Sequence, residues 1–179
     1  LDGMPPAFAD TSGAFSAAGV VADFGALYQV RNSLVMGYPA ASWILADSLS
    51  AARLNFGQSA FTSSVFQCAD TARAFYIRPG VYGQYGPVDF REFVLRVQFR
   101  NRYVQSANAL GLADPFNFSS PQPWPAANSI LLGGADFSGP VFSNGFFSQV
   151  SFVGALNAES WLAGWTNFTP LKTSYNEPR

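Results

Sequence analysis

Side chains able to move protons or hold metals are scarce in this 179-residue chain. It has no histidine, which removes the commonest general base and the commonest transition-metal ligand. Neither a Ser-His-Asp nor a Cys-His arrangement can therefore be assembled. Cys68 is the single cysteine, so an internal disulfide and a zinc or iron–sulfur site are excluded. In the setting Val65-Phe66-Gln67-Cys68 it reads as a small buried apolar residue rather than a reactive thiol. No Gly-rich phosphate loop of the P-loop or dinucleotide type occurs. The carboxylates Asp47, Asp70, Asp89, Glu92, Asp114, Asp136 and Glu159 remain. Paired carboxylates hydrolyse glycosides, but only Asp89 and Glu92 lie at a spacing that suggests a pair. Asp47-Ser48 and Asp70-Thr71 follow short apolar stretches, where Asp favours turns by accepting hydrogen bonds from nearby backbone N–H groups. The expectation is a non-enzyme with no catalytic residue, no metal and no cofactor.

Two groups are suited to binding rather than reaction. Trp124, Trp161 and Trp165 could stack on the apolar C–H faces of sugar rings, making a candidate glycan platform. Arg91, Arg96, Arg100 and Arg102 could meet an anionic glycan, or form a solvated face that keeps an edge strand from pairing wrongly.

The elements that would position these residues read mainly as strands. Leu27 to Met36 is rich in β-formers and is stopped by Gly37-Tyr38-Pro39. Ser42 to Ala46, Ser59 to Cys68 and Ala74 to Ile77 follow as further apolar strands. Val30-Arg31-Asn32-Ser33-Leu34-Val35 and Phe61-Thr62-Ser63-Ser64-Val65-Phe66 share one pattern (apolar, polar, polar, Ser, apolar, apolar) at an offset of 31 residues. A strand-built repeat of that length suggests successive coils of a β-solenoid. Residues 88–104 form a further strand region; between Leu95 and Arg100 the apolar Leu95, Val97 and Phe99 alternate with Arg96, Gln98 and Arg100. Three prolines within Pro121 to Pro125 exclude a central strand or a helix interior.

Composition narrows the partners. Ten Lys and Arg against eleven Asp and Glu leave no basic excess for a phosphate backbone, which argues against nucleic acid. Only 12% of residues are charged while 49% are hydrophobic, eighteen of them Phe. So little charge implies that part of the surface is covered by another chain, through self-association or a larger protein assembly. No apolar run is long enough for a transmembrane helix. Leu1-Asp2-Gly3 lacks the basic region and apolar stretch of a signal peptide, and the chain starts without Met, which reads as a chain processed or cut from a longer precursor.

The C-terminal stretch resembles the ending of large secreted β-helix surface proteins of Bacteroidetes and related bacteria. The matching residues are Pro123 to Ala135, Phe146 to Leu156, and Trp161-Leu162-Ala163-Gly164-Trp165-Thr166-Asn167. Upstream, Asn32-Ser33-Leu34-Val35-Met36-Gly37-Tyr38-Pro39 looks like a late coil of the same proteins. Leu156 and Phe152 depart from that family's usual aromatic and Tyr. The resemblance implies an exported protein at the bacterial cell surface or beyond it. It also makes Ser48 (in Asp47-Ser48-Leu49) and Thr71 (in Asp70-Thr71-Ala72) candidate O-glycosylation sites. Asn117-Phe118-Ser119 and Asn167-Phe168-Thr169 fit the N-glycosylation pattern.

Together these features predict an all-β fold, a right-handed parallel β-helix end. Its parts would be an N-terminal arm or edge segment over 1–25, solenoid coils over 26–112, and a Pro-rich connection with an irregular C-terminal cap over 113–179. Trp161, Trp165, Phe168, Phe146 and Phe147 would form a lid over the open end. The expected function is a non-catalytic extracellular structural protein, a subunit of a filament or surface assembly. A carbohydrate-binding or polysaccharide-lyase-type module is the alternative, and a viral coat or tail β protein a third.

Overall fold

Val20-Val21, Trp43-Ile44-Leu45 and Phe75-Tyr76-Ile77 are runs of β-branched, aromatic and aliphatic residues suited to a pleated surface, and the chain lays them side by side. The computed structural model describes residues 18–81, 90–117, 119–158, 161–162 and 166–173. Within them the strands are β1 (Ala18–Ala22), β2 (Gln29–Arg31), β3 (Leu34–Val35), β4 (Ala41–Leu45), β5 (Ala60–Thr62), β6 (Val65–Gln67), β7 (Phe75–Ile77), β8 (Arg102–Val104), β9 (Leu112–Asp114) and β10 (Gln122–Pro125). Helix α1 (Ser48–Asn55) lies between β4 and β5, and helix α2 (Phe90–Val94) between β7 and β8. Three small parallel sheets have the orders β1-β4-β7, β2-β5 and β3-β6-β8; β9 and β10 form an antiparallel pair.

The chain makes three passes around a shared interior. Trp43, Phe61, Phe66, Phe75 and Phe90 meet there, with ring centroids 4.5 Å apart for Trp43–Phe61, 5.0 Å for Trp43–Phe90 and 5.2 Å for Phe66–Phe75. Edge and tilted ring contacts of this kind add to the roughly 1.5–3 kcal/mol that burial of each large apolar side chain supplies. A second apolar layer packs Leu110, Leu131 and Val153 on Val65, at the outer face of the β3-β6-β8 sheet.

Each pass turns a corner at a non-glycine residue in the left-handed region: Asn32 at φ 52°, Ser63 at 52° and Arg100 at 53°. That backbone costs about 1–2 kcal/mol per residue, and it persists because the next residue is tied between passes. The Ser33 amide donates to Ser64 Oγ at 3.2 Å, and the Ser64 amide to Asn101 Oδ1 at 3.0 Å. Asn101 Nδ2 then donates to the carbonyls of Phe61 (2.8 Å) and Val94 (3.0 Å).

The expected all-β, right-handed parallel β-helix end is overturned. Among the described residues the strands are two to five residues long, one pairing is antiparallel, helices interrupt the passes, and no sheet closes or continues as a solenoid. The physical reason is uneven pass length. Paired residues are 31 apart for Leu34 and Val65 but 23 apart for Ala18 and Ala41, and 37 for Val65 and Arg102. A solenoid needs a near-constant coil, and these insertions break the ladder.

The strand expected across 88–104 is also corrected. Among its described residues, Phe90–Val94 is helical and Val97–Phe99 is a 3-10 turn, leaving only Arg102–Val104 as strand. Phe90, Phe93 and Val94 are buried at helical spacing against the interior. Val97, expected on an apolar strand face, is 89% exposed. The aromatic lid is corrected too, because Phe146 is 81% exposed and Phe147, Trp161 and Phe168 are exposed as well. Trp165 and Gly164 lie outside the described residues. What the C-terminal segment buries is Leu131 and Val153, along the flank of the β3-β6-β8 sheet. The prolines at 121–125 do lie off any central strand: β10 belongs to a two-stranded pair with a register shift.

Candidate functional site

Two concave apolar surfaces result from this arrangement. The first lies where the first-pass strands begin. Among the described residues, β1 and β3 are the outer strands of their three-stranded sheets, and β2 is paired on one side only, by β5. Val20, Val21 and Ala22 of β1, Val30 of β2, Val35 of β3 and the neighbouring Tyr28 line a hollow of about 410 Å³ together with Phe61. β4, one pass below, is buried at every position, whereas β1 is only half-buried through its middle.

The second is a groove of about 510 Å³ between β3, the β9–β10 pair and residues 153–156, lined by Leu34, Met36, Leu112, Pro123, Pro125 and Leu131 among others. Two side chains tie residues 130–136, next to this groove, to the strands. Asn32 Nδ2 donates to the Asp136 carbonyl at 3.1 Å while the Asp136 amide donates back to Asn32 Oδ1 at 2.8 Å. Arg102 donates to the carbonyls of Ile130 (2.7 Å) and Gly133 (2.9 Å). Burial lowers the pKa of the Arg102 guanidinium. The groove wall is apolar, and the side-chain amide of Asn32 at its edge already has its partners.

The tryptophans separate. Trp161 is tied to Ala155, one of the residues that line this groove, its indole Nε1 donating to the Ala155 carbonyl at 2.8 Å, and the residue is 54% exposed. Trp124 is half-buried on β10, and Trp165 lies outside the described residues. The four arginines do not converge. Arg91 stacks over Tyr103 with its guanidinium carbon 4.9 Å from the ring centre, and Arg96 over Phe93 at 4.8 Å. Arg100 pairs with Asp136 at 3.0 Å, and Arg102 makes the tie just described.

The described carboxylates mostly serve local structure. Asp47 caps α1, accepting from the amides of Leu49 (2.9 Å) and Ser50 (3.1 Å), from the Ser50 hydroxyl, and across the chain from the Gly25 amide (3.2 Å). Burial alone would raise its pKa, but these donors hold it below the usual carboxylate value. Asp70 closes a turn onto the amides of Ala72 and Arg73, and Asp114 accepts from Asn117. The hydroxyl and amide of Ser138 hold the Asp136 carboxyl low, with Arg100 adding to the effect. Glu92 is exposed on α2, while Asp89 and Glu159 lie outside the described residues. Among the described residues no group of three His, Cys, Asp or Glu side chains is placed to hold a metal.

Of the candidate modification sites, Thr71 is exposed, and Ser48 is half-buried as the first residue of α1. Asn117 is exposed, and Asn167 is half-buried with its side chain bonded to Thr173 and Thr169. Cys68 is fully buried, with its thiol 3.7 Å from the Tyr38 carbonyl, and burial pushes its pKa up. The phenol of Tyr28 and the indole N–H of Trp43 are buried without a hydrogen-bond partner.

Sequence reasoning did not single out Asn101, and it named Asn32 only within the repeated strand and Arg102 only among the four arginines; the roles of all three come from partners far along the chain. The repeated Ser at 33 and 64 was the available signal for the first corner contacts. Among the described residues no helix is long and apolar enough to cross a membrane. Comparison with protein-family models, with curated proteins and with solved structures finds no match to this chain.

Proposed function

We propose that this protein is a non-catalytic structural protein, a subunit of a filament or surface assembly. One observation carries the reading: many large apolar side chains lie in the open, with Phe24 97% and Phe146 81% exposed and Phe56 and Leu171 also largely uncovered. Isolated exposed apolar residues are ordinary, but exposed aromatics together with two apolar hollows and a charge content of 12% favour a surface that another chain covers. The use of Asp47, Asp70 and Asp136 as caps and clamps supports a structural rather than a catalytic role. The resemblance of the C-terminal motifs extends the proposal to an exported protein at the cell surface.

Light scattering and negative-stain microscopy test this. The expected result is particles well above the 19.3 kDa of one chain; a monodisperse monomer across a wide concentration range refutes it. The exposed Trp161 beside an apolar groove favours a second reading, glycan binding. On that reading, soluble polysaccharides quench or shift tryptophan emission in the native chain, and Trp161→Ala abolishes the change. An unchanged response in Trp161→Ala rules out Trp161 as the sugar platform.

A further inference from the structure

We propose that Asn144 is a site of spontaneous covalent modification. The Gly145 backbone nitrogen expels the side-chain amide as ammonia, and water then leaves a carboxylate in its place.

Asn144 lies in a surface loop whose base is tied down. The Ala135 amide donates to the Ser151 carbonyl at 3.1 Å, and the Gly154 amide to the Asn32 carbonyl at 2.8 Å. The side chain of Asn32 grips Asp136 at the same place. Between these ties, residues 138–150 are exposed except for the half-buried Phe142.

Ring closure at an asparagine needs a free nitrogen on the next residue, an electrophilic side-chain carbon beside it, and little crowding around both. Asn144 is the only asparagine in the chain that is followed by glycine. Gly145 stands at φ 73°, and even a Cβ placed on it would meet nothing within 4 Å. Among the described residues the Gly145 amide has no hydrogen-bond partner, so its nitrogen is available. The Phe146 amide donates to Asn144 Oδ1 at 3.0 Å. That bond closes a ring containing the Gly145 nitrogen, which folds the side chain back over the peptide that attacks it. It also draws electron density from the side-chain carbonyl and makes its carbon a better electrophile.

Asparagines in the corners are held against the same reaction. Asn101 is buried, its side chain bonded to Ser64, Phe61 and Val94, and the Arg102 amide that follows donates to the Ser64 carbonyl. Asn32 has both ends of its side-chain amide engaged by Asp136.

Atoms balance as one water taken up and one ammonia released. The Gly145 nitrogen gives its proton to a solvent base and bonds to the Asn144 side-chain carbon. The bond from that carbon to Nδ2 breaks, and ammonia leaves with a proton from water. Water adds to either carbonyl of the resulting imide and reopens it to aspartate or isoaspartate. Residues 137–158 contain no ionisable side chain, so the new carboxylate is the one charge in that stretch. It stands two residues from Phe146, which is 81% exposed. An apolar loop becomes a charged one with time.

The test holds the full chain at mildly alkaline pH and body temperature for several days, native and in urea. Peptide mapping by mass spectrometry should find Asn144 converted before any other asparagine. Enzymatic methylation of isoaspartate should label the same peptide. The native rate should lie within about tenfold of the rate in urea, because the fold holds neither reacting group back. Asn144→Gln should lose the label, since its longer side chain must close a larger ring, and should melt as the wild type does. A native rate below that range, earlier conversion of another asparagine, or a label that persists in Asn144→Gln overturns the assignment.

Discussion

Asn101 is where the fold's corner construction can be tested most sharply. Its side chain, buried with the residue only 9% exposed, accepts from the Ser64 amide and donates to the carbonyls of Phe61 and Val94. It therefore ties the second pass to the third and to the end of α2. Asn101→Ala strands three backbone groups at once. An unsatisfied buried group costs about 1–3 kcal/mol, and a water entering the space the amide vacates recovers part of that. The net expectation is a loss of about 3 kcal/mol. For a chain of this size that lowers the Tm by roughly 6–12 °C. Urea unfolding followed by the fluorescence of buried Trp43 measures it, and the midpoint should fall with little change in slope. Asn101→Asp keeps an acceptor for Ser64 but turns both donors into acceptors facing carbonyls, so it should be no milder than alanine. If Asn101→Ala stays within about 1 kcal/mol of the wild type, or Asn101→Asp matches the wild type, the interpass tie does not hold the corner together.

Three further outcomes follow from the same contacts. Asp47→Ala removes the cap of α1 and should cost about 1 kcal/mol at neutral pH. The pKa values of Asp47 and Asp136 lie below the unfolded value near 3.8, so their contribution is complete above that value and is lost as pH falls through the depressed folded values. The stability gap between wild type and Asp47→Asn should thus hold steady from about pH 7 to 5 and close below about pH 4 in thermal melts. Cys68 should react with an aromatic disulfide reagent orders of magnitude more slowly in the native chain than in urea, because it is buried and its pKa is raised; rapid native labelling would contradict its burial. Tyr28→Phe deletes a buried hydroxyl that has no partner, so the variant should be as stable as the wild type or up to about 1 kcal/mol more stable; a clear loss in chemical denaturation would mean the phenol is satisfied after all.

Local patterning carried some of the architecture. The motif shared by Val30–Val35 and Phe61–Phe66 reappears as in-register parallel pairing, with Val30 beside Phe61 and Leu34 beside Val65. Alternation and β-propensity act over a few residues, so two like segments can be recognised as neighbours without knowing what covers them. The same reasoning misled at Leu95–Arg100. Its alternation imitates a strand, but Phe90, Phe93 and Val94 fill the interior only as a helix, and the backbone that follows turns with them. The C-terminal aromatics failed as a lid for a related reason. Hydrophobicity tells which residues gain by burial, not whether a face is available to bury them.

The sequence alone determined that histidine-based acid–base catalysis and histidine- or multi-cysteine metal ligation cannot be built from these residues, since there is no histidine and one cysteine. It also determined where paired strands recur and where proline forbids a sheet interior. Only the tertiary structure decided that unequal passes break the ladder into small sheets, and that Asn32, Asn101 and Arg102 hold the passes and the C-terminal flank. It also decided that, among the described residues, β1 and β3 end their sheets beside an apolar hollow. The side-chain ties among those outcomes join residues 28 to 104 apart, and apart from the one repeat at an offset of 31 no local pattern marks such partners.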